Sequence, residues 1–522
     1  MQGSGRPPGP TEAPRRVRYG FVIDQTRCIG CHACTVACKE ENGVPLGAFR
    51  TWVKYVEKGE YPHTRRHFAV LRCNHCDNAP CVTICPTVAL YRRPDGIVDF
   101  DGRRCIGCKS CLQACPYDAL YIDPDTHTAA KCHFCAHRVE KGLEPACVIV
   151  CPERAILAGD LDDPASEVAQ VIAREPVTVR KPEQGTRPKL FYVGADHATL
   201  VPQLAETRGA HLWGQRPGEI LSLARMATGW KTNGPAPATP KAAEALGQVA
   251  YDAPHEARPW GWRVSAYLWT KSIAAGAALV AALGTLWGWP EAGGRRLPLL
   301  ALVFVLLTSV LLVVDLKRPD RFLYVLSKGN PRSWLVWGAW ILMAFGAVTT
   351  LWILVATGGG GRVLPLLAVP WLALALGAAG YSAFLFAQAE GRDFWQSPLV
   401  LPHLLAASVV AGCAVAHLAY GPAQAVRGFL VLGLGVHLFL ILAERFVHHP
   451  NLDALMAARL LTGGAWRGRF WGGVVVLGTL LPALLVLTGS AVLGGLGSLL
   501  ALGGLYVYED LWVRAGQAVP LS

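Results

Sequence analysis

Sixteen of the seventeen cysteines in this 522-residue chain lie before residue 152, in four sets of four. They are Cys28, Cys31, Cys34, Cys38; Cys73, Cys76, Cys81, Cys85; Cys105, Cys108, Cys111, Cys115; and Cys132, Cys135, Cys147, Cys151. The first and third run C-x2-C-x2-C-x3-C, the second C-x2-C-x4-C-x3-C and the fourth C-x2-C-x11-C-x3-C. Disulfides need an oxidising compartment, and cysteines two residues apart in tight turns pair poorly. Structural zinc uses paired C-x2-C knuckles and has little need of a third cysteine at the next step. Iron–sulfur clusters do need it: three closely spaced thiolates wrap three corners of a cubane, and the x3 cysteine reaches a neighbouring cluster. Pro86, Pro116 and Pro152 each follow the last cysteine of a set, as in that run, whereas Lys39 follows Cys38. The pattern predicts four 4Fe–4S clusters and no three-iron cluster, within small α+β ferredoxin-like units of short hairpins and helices. Which sets exchange their fourth cysteines is not given by spacing. Cys413 stands apart, inside an apolar run, as a packing residue.

After Arg258 the chain changes solvent. The first 258 residues carry 32 basic and 28 acidic residues; the remainder carries 17 and 9, mostly in short clusters between uncharged runs. Those runs are Ser272–Pro290, Leu297–Val314, Ser333–Thr357, Val363–Ala389, Phe394–Val426, Gly428–Ala443 and Phe470–Tyr508. About 20 apolar residues cross a bilayer as a helix. Six runs suit one helix each, and the last suits two, turning near Thr488-Gly489-Ser490. The expectation is an all-α bundle of eight transmembrane helices over 259–522. Only 16% of the chain is charged and the mean hydropathy is +0.31. With the clustered cysteines, this excludes a disordered chain and a purely soluble domain. No nucleic-acid partner is expected.

With eight spans, the N-terminal flank, alternate loops and the C-terminus share one side. That side carries Arg258, Arg263, Lys271, Lys317, Arg318, Arg321, Lys328, Arg332, Arg392, Arg445, Arg459, Arg467, Arg469 and Arg514; the other carries Arg295, Arg296, Arg362 and Arg427. Fourteen against four predicts a multi-pass inner-membrane protein with its cysteine-rich half in the cytoplasm. A basic loop also serves to dock a domain, as Lys317–Arg332 could. Residues 1–18 read as a disordered tail. Arg15-Arg16 has no apolar stretch after it before Cys28, so a basic tail is expected rather than an export signal. The cluster domain is expected over 19–185. A linker and docking segment follows over 186–258, with a strand at Lys189–Val193, a short helix at Ile220–Ala227 and a Pro-rich stretch at Gly234–Pro240.

Over Tyr19–Ala158 the cysteine pattern resembles the four-cluster electron-transfer subunits of molybdopterin oxidoreductases of the dimethyl sulfoxide and polysulfide reductase type. The resemblance implies two pseudo-symmetric bacterial-ferredoxin units, in which the first and fourth sets exchange last cysteines, as do the second and third. It also implies a large catalytic partner chain carrying a molybdenum or tungsten bis-pterin. The run Asp315-Leu316-Lys317-Arg318-Pro319-Asp320-Arg321-Phe322, with Ser333, Gly338-Ala339-Trp340 and Val513-Arg514-Ala515-Gly516-Gln517, is similar to the NrfD/PsrC family of quinone-reactive membrane subunits. The two parts usually occur as separate chains; here they are fused.

A wire of clusters moves single electrons and does no bond chemistry on an organic substrate. Electrons leaving it beside a membrane need a lipid-soluble quinone, which also takes protons. Its site therefore needs ionisable groups where the helices meet the cluster side: Tyr267, Lys271, Asp315, Arg318, Glu390 and, about 13 Å deeper, Tyr381. The expected function is relay between the pterin subunit and the quinone pool, with the primary substrate handled elsewhere. Two other readings compete. One is redox-driven proton translocation, through His417, His437 and Glu444. The other is an anchor without quinone chemistry. His403, His417 and His437 could hold a haem, but buried polar packing or proton relay suits one predicted helix and its neighbour better.

Overall fold

In a computed structural model the described residues are 17–59, 62–207, 247–254, 259–289, 291, 294–446, 449 and 451–522. The expected tail up to residue 16, the helix at 220–227 and the Pro-rich stretch at 234–240 lie outside them.

Among its described residues the cysteine-rich half carries twelve short strands. Strand β1 (Tyr19–Asp24) runs antiparallel to β8 (Ile156–Asp160) and parallel to β10 (Leu190–Val193), which in turn pairs with β9 (Val177–Thr178). A second sheet pairs β2 (Thr51–Lys58) with β3 (Arg65–Arg72) and with β12 (Gly247–Tyr251), and β12 with β11 (Ala205–Thr207). Two hairpins, β4–β5 (Leu90–Arg92, Val98–Phe100) and β6–β7 (Leu120–Ile122, Ala129–Lys131), complete the strands. Short helices follow the cysteine turns. Ala33–Asn42 (α1) packs on Ala146–Ile149, and Pro80–Ile84 (α2) packs on Ser110–Ala114 (α3). The helix–hairpin–helix–hairpin order of α2, β4–β5, α3 and β6–β7 is one ferredoxin-like unit, carrying the second and third sets.

One expectation is corrected here. A boundary at residue 185 cuts through the first sheet, because β10 lies at its centre, and β12 belongs to the second sheet. These segments are part of the cluster domain. Their alternating buried and half-buried residues, as in Leu190-Phe191-Tyr192-Val193, cover the core beside Phe21, Trp52 and Val70.

Among its described residues the second half has eight helices long and apolar enough to cross a membrane: Trp262–Leu286, Arg296–Val314, Trp334–Thr357, Leu364–Ala387, Val400–Tyr420, Gln424–Glu444, Arg469–Leu487 and Ala491–Ala518. The last two are separated at Thr488–Ser490, as the sequence predicts. The apolar windows of the first and fifth helices are 83% and 78% buried, against 28% and 22% for the second and third. The first and fifth are therefore the bundle's axis. Leu306, Val310, Leu354, Leu366, Leu432 and Leu484 are exposed, which suits lipid and not water. An additional short helix, Leu452–Thr462, sits between the sixth and seventh spans.

Helices one and five touch backbone to backbone. A Cβ on Gly412 would overlap the Gly276 carbonyl, and one on Gly276 would overlap Ser408 and Gly412. The unit carrying the second and third cysteine sets shares one apolar core with the ends of the first, fourth, fifth and eighth helices, through Tyr117, Trp260, Leu268, Phe386, Trp395, Leu404 and Trp512.

Candidate functional site: four cysteine groups and a buried polar chain

Each cysteine set starts in a turn whose second intervening residue has a left-handed backbone: Gly30 (φ 71°), His75 (45°), Gly107 (67°) and Phe134 (62°). Two of these four are not glycine and so carry a steric cost of about 1–2 kcal/mol each. A repeated strained turn is explained by an object around which the chain must curl. The turns point backbone N–H groups at sulfur, with Gly107 and Ala129 each 3.4 Å from Cys105 Sγ, Phe134 3.5 Å from Cys132 Sγ and Ala155 3.2 Å from Cys151 Sγ.

The cysteines gather across the sets. Cys28, Cys31, Cys34 and Cys151 line one cavity; Cys38, Cys132, Cys135 and Cys147 line a second; Cys85, Cys105, Cys108 and Cys111 line a third. Cys73, Cys76, Cys81 and Cys115 are mutual electrostatic neighbours. This is the exchange of fourth cysteines that the family resemblance implied. Zinc, about 2.3 Å from each sulfur, would draw four sulfurs within about 4 Å of one another. Among the described residues no three ligand-type side chains converge as on a single ion. The four-cysteine cavities fit cubanes.

Burial pushes the Cys34 thiol up to about 12 and the Cys38 thiol up to about 11, with neighbouring cysteines adding to it. Thiolates at these positions need a bound cation, which iron supplies. Arg72 is the one side-chain cation hydrogen-bonded to a ligand sulfur among the described residues, its Nη1 donating to Cys147 Sγ at 3.0 Å. Burial opposes its charge, but Cys147, Cys132 and Cys34 hold its pKa above the usual guanidinium value. Its Nε and Nη2 have no protein partner, which leaves two donors for cluster sulfide.

The four groups form a line. Cys34 faces Cys147, Cys132 faces Cys73, and Cys111 faces Cys81. One end, at Cys31, is exposed; the other is clasped by the membrane half. There, Lys317 N and Arg318 N donate to the carbonyls of Gly107 and Ile106, and Arg321 Nη1 to those of Gly102 and Cys105. Asn330 Nδ2 donates to Cys85 O at 2.9 Å and Ser333 Oγ to Ile84 O at 2.7 Å. Trp260 Nε1 donates to Cys108 O, Arg392 Nε to Gln113 Oε1, and Gln113 Nε2 to Gln517 Oε1 at 2.6 Å. Lys109, next to Cys108 and 5% exposed, is paired with Asp315 at 2.9 Å.

Of the six residues expected at a quinone site, the structure brings three together. Lys271 Nζ donates to Ala379 O at 3.0 Å and Ser382 Oγ at 2.8 Å, and lies 4.8 Å from the Tyr381 ring centroid. Tyr267 neighbours Tyr381, Ser382 and Asp315. Asp315 stands at the edge of this group, held by Lys109. Arg318 is outside it, bonded to Asp320 and Thr126 O at the domain junction, and Glu390 is half-buried beyond the fourth helix with no hydrogen bond to a described residue. Gly338 leaves room for Tyr381, since a Cβ there would overlap the ring.

Two members escaped the sequence reading. Ser382 gives no signal of its own. Glu509 does: it is an acid in an apolar helix, 3% exposed, with neither carboxyl oxygen hydrogen-bonded and with Lys271 and Ser272 as its polar neighbours. The uncharged run ends at Tyr508, yet the helix continues to Ala518, so Glu509 lies within it. His403 and His437 meet with ring centroids 4.5 Å apart, too close for a porphyrin between them, and His403 lies 4.5 Å from Tyr508. His417, fourteen residues (about 21 Å) along the fifth helix from His403, does not join them. It packs against Gly494 at the opposite end of the bundle.

A line of buried four-cysteine groups ending against eight membrane helices defines a membrane-bound iron–sulfur electron-transfer protein. Residues 65–161 match the family model of the 4Fe-4S dicluster domain, and residues 253–508 match that of polysulphide reductase, NrfD. The chain is 48% identical over 206 residues to a tetrathionate reductase subunit of Salmonella typhimurium, spanning 39% of this chain and 82% of that protein. It is 43% identical over 179 residues to a polysulfide reductase polypeptide of Wolinella succinogenes, spanning 34% of this chain and 94% of the relative. It is 40% identical over 210 residues to a putative dimethyl sulfoxide reductase iron-sulfur subunit of Halobacterium salinarum, spanning 34% and 79%. The chain belongs to this family of reductase iron–sulfur subunits, here fused to an NrfD membrane domain.

Proposed function

We propose that this chain carries electrons, through four 4Fe–4S clusters, between a molybdenum or tungsten bis-pterin catalytic subunit and the membrane quinone pool. The sixteen cysteines, taken in the four groups above, hold the clusters, whose chemistry is one-electron transfer. The observation that carries the reading is the contact at Lys109. This residue adjoins a cysteine of the last group, pairs with Asp315, and so sets that group beside Tyr267, Tyr381, Ser382 and Lys271. A quinone head there meets hydroxyl and ammonium donors next to the electron source.

The exposed Cys31 end, rimmed by Ile29, Val36, Ile149 and Val150, supports docking of the catalytic subunit. That the relatives are named as parts of reductases supports the same partner class. The cytoplasmic placement of the cluster domain rests on the basic residues. Of the fourteen on that side, Arg318, Arg321 and Arg392 are engaged in docking and Lys271 is buried within the first helix, which leaves ten against four.

The test is purification of the intact complex with metal analysis and quinone assays. Molybdenum or tungsten with a large second chain, and cluster reoxidation by quinone that is lost in Lys271→Met and Tyr381→Phe, is the expected result. Absence of both metals would remove the pterin partner, and undiminished reoxidation in both variants would remove the quinone site. Protease digestion of the cluster domain in right-side-out vesicles would reverse the orientation.

A further inference from the structure

We infer that Glu509 is the proton-exchanging group of the quinone site and is supplied with protons from the cluster-side water through Glu444 and Tyr508. The inference rests on the quinone reading above and adds to it a route and a side of the membrane.

Glu509 is a buried carboxyl with two unpartnered oxygens, set beside Lys271, which itself contacts Tyr381 and Ser382. An acid held in that state needs a counterpart, and the counterpart nearest in chemistry is a substrate oxygen that takes up protons. A cavity next to it is lined by Leu268, His403, Glu444, Tyr508, Glu509 and Trp512. Tyr508 Oη donates to Glu444 Oε2 at 3.1 Å, across the interface of the sixth and eighth helices. Glu444 also lines a second cavity, with Phe394, Ala458, Thr462 and Phe470, beneath the short helix Leu452–Thr462. That helix is on the cluster side, because its Asp453 pairs with Lys181 of the cluster domain at 3.2 Å. The route therefore runs from the cavity beneath this cluster-side helix, past Thr462, to Glu444, Tyr508 and Glu509, with the His403 and His437 rings packed alongside, and water able to bridge the gaps within the cavities. Among the described residues this chain of polar contacts does not extend to His417.

The chemistry balances as quinone plus two electrons from reduced clusters plus two protons from the route, giving quinol. Glu509 gives up a proton with each electron and is reprotonated through Tyr508 and Glu444. Quinol oxidation runs the same route outward. No proton crosses the membrane.

The test uses the full-length holo-chain in liposomes, cluster domain outward, reduced with dithionite and mixed with a short-tailed ubiquinone analogue. Cluster absorbance reads electrons and an external pH dye reads protons. Glu509→Gln and Glu444→Gln are expected to keep full iron content and the wild-type quinone KM, while turnover and external proton uptake fall about tenfold or more. Glu509→Asp should restore much of both, and His417→Ala should match wild type. Wild-type turnover in Glu509→Gln and Glu444→Gln overturns the route. Loss of external uptake in His417→Ala overturns its sidedness. If Glu509→Gln fails to assemble clusters, Glu444→Gln, remote from the quinone group, decides alone. A wild-type chain that does not reoxidise with quinone sinks the parent reading instead, and these outcomes are separate.

Discussion

Cys34 and Cys38 are one helical turn apart on α1, yet their sulfurs line different cavities, the first with Cys28, Cys31 and Cys151 and the second with Cys132, Cys135 and Cys147. Helix geometry explains this: residues four apart share a face about 6 Å along, so one turn bridges two neighbouring clusters. Replacing Cys38 by Ser should therefore damage the cluster held by Cys132, Cys135 and Cys147. Its electron paramagnetic resonance spectrum should match that of Cys135→Ser and differ from that of Cys28→Ser; the reverse match would overturn the exchange. The cysteine ligands were legible because cluster ligation imposes fixed spacings on the sequence. Asp315 and Arg318 were legible as special but not in role. A buried or interfacial charge announces itself by its cost, whereas its partner, Lys109 some two hundred positions earlier, does not. Glu509 was hidden for the opposite reason, since acids at Glu509 and Asp510 look like the end of a span when the helix in fact runs on for two more turns. A second prediction belongs to Gly338. Introducing Leu there drives a side chain into the Tyr381 ring. It should leave the clusters intact and cost about 1–3 kcal/mol in the bundle, with quinone turnover lost, as read by thermal melting beside the reoxidation assay.

At the scale of elements, the spans could be read from composition because a bilayer asks for one property over a fixed length. Strand β10 could also be read, at Lys189–Val193, but not its place in a sheet, and β12 could not be read at all. Each is four or five residues, and their partners β1 and β2 lie well over a hundred residues earlier, so nothing local tells which strands they join. The short helix Leu452–Thr462 was missed for a similar reason: at eleven residues it is below the length of a span, and its docking contact comes from Lys181. What fixes the bundle is also local and small. The axis helices one and five meet at Gly276 and Gly412 with backbones in contact, an approach that any side chain would prevent. Gly412→Leu should separate them at a cost of several kcal/mol and abolish accumulation of the folded chain in membranes. Gly435→Leu, on the sixth helix with open space around its Cβ position, should be tolerated. Equal yields of the two proteins in detergent would show that the contact does not hold the bundle.

At the scale of the whole molecule, the two halves draw stability from different sources. The membrane half has its own apolar core, centred on the first, fourth and fifth helices. The outer part of the cluster domain is built differently. Its core residues Phe21, Trp52, Val70, Leu71, Phe134 and Tyr192 surround Cys34 and Cys147, and its loops hold strained turns that contribute nothing without an object to wrap. Binding a metal centre to ligands that are unpaired in the open chain adds its binding free energy to folding. Iron removal should therefore act unevenly. Treating the purified chain with an iron chelator under mild oxidation should open residues 17–207 to protease within minutes. The bundle from Trp262 to Ala518 should stay protected and keep its helical circular dichroism. The unit that shares its core with Trp260, Phe386 and Trp512 should be cut later than the unit at Cys31, because helix packing still supports it when the clusters are gone. Simultaneous loss of both units would mean that the shared core adds little, and the docking of the last group on the bundle would then rest on its hydrogen bonds and the Lys109–Asp315 pair alone.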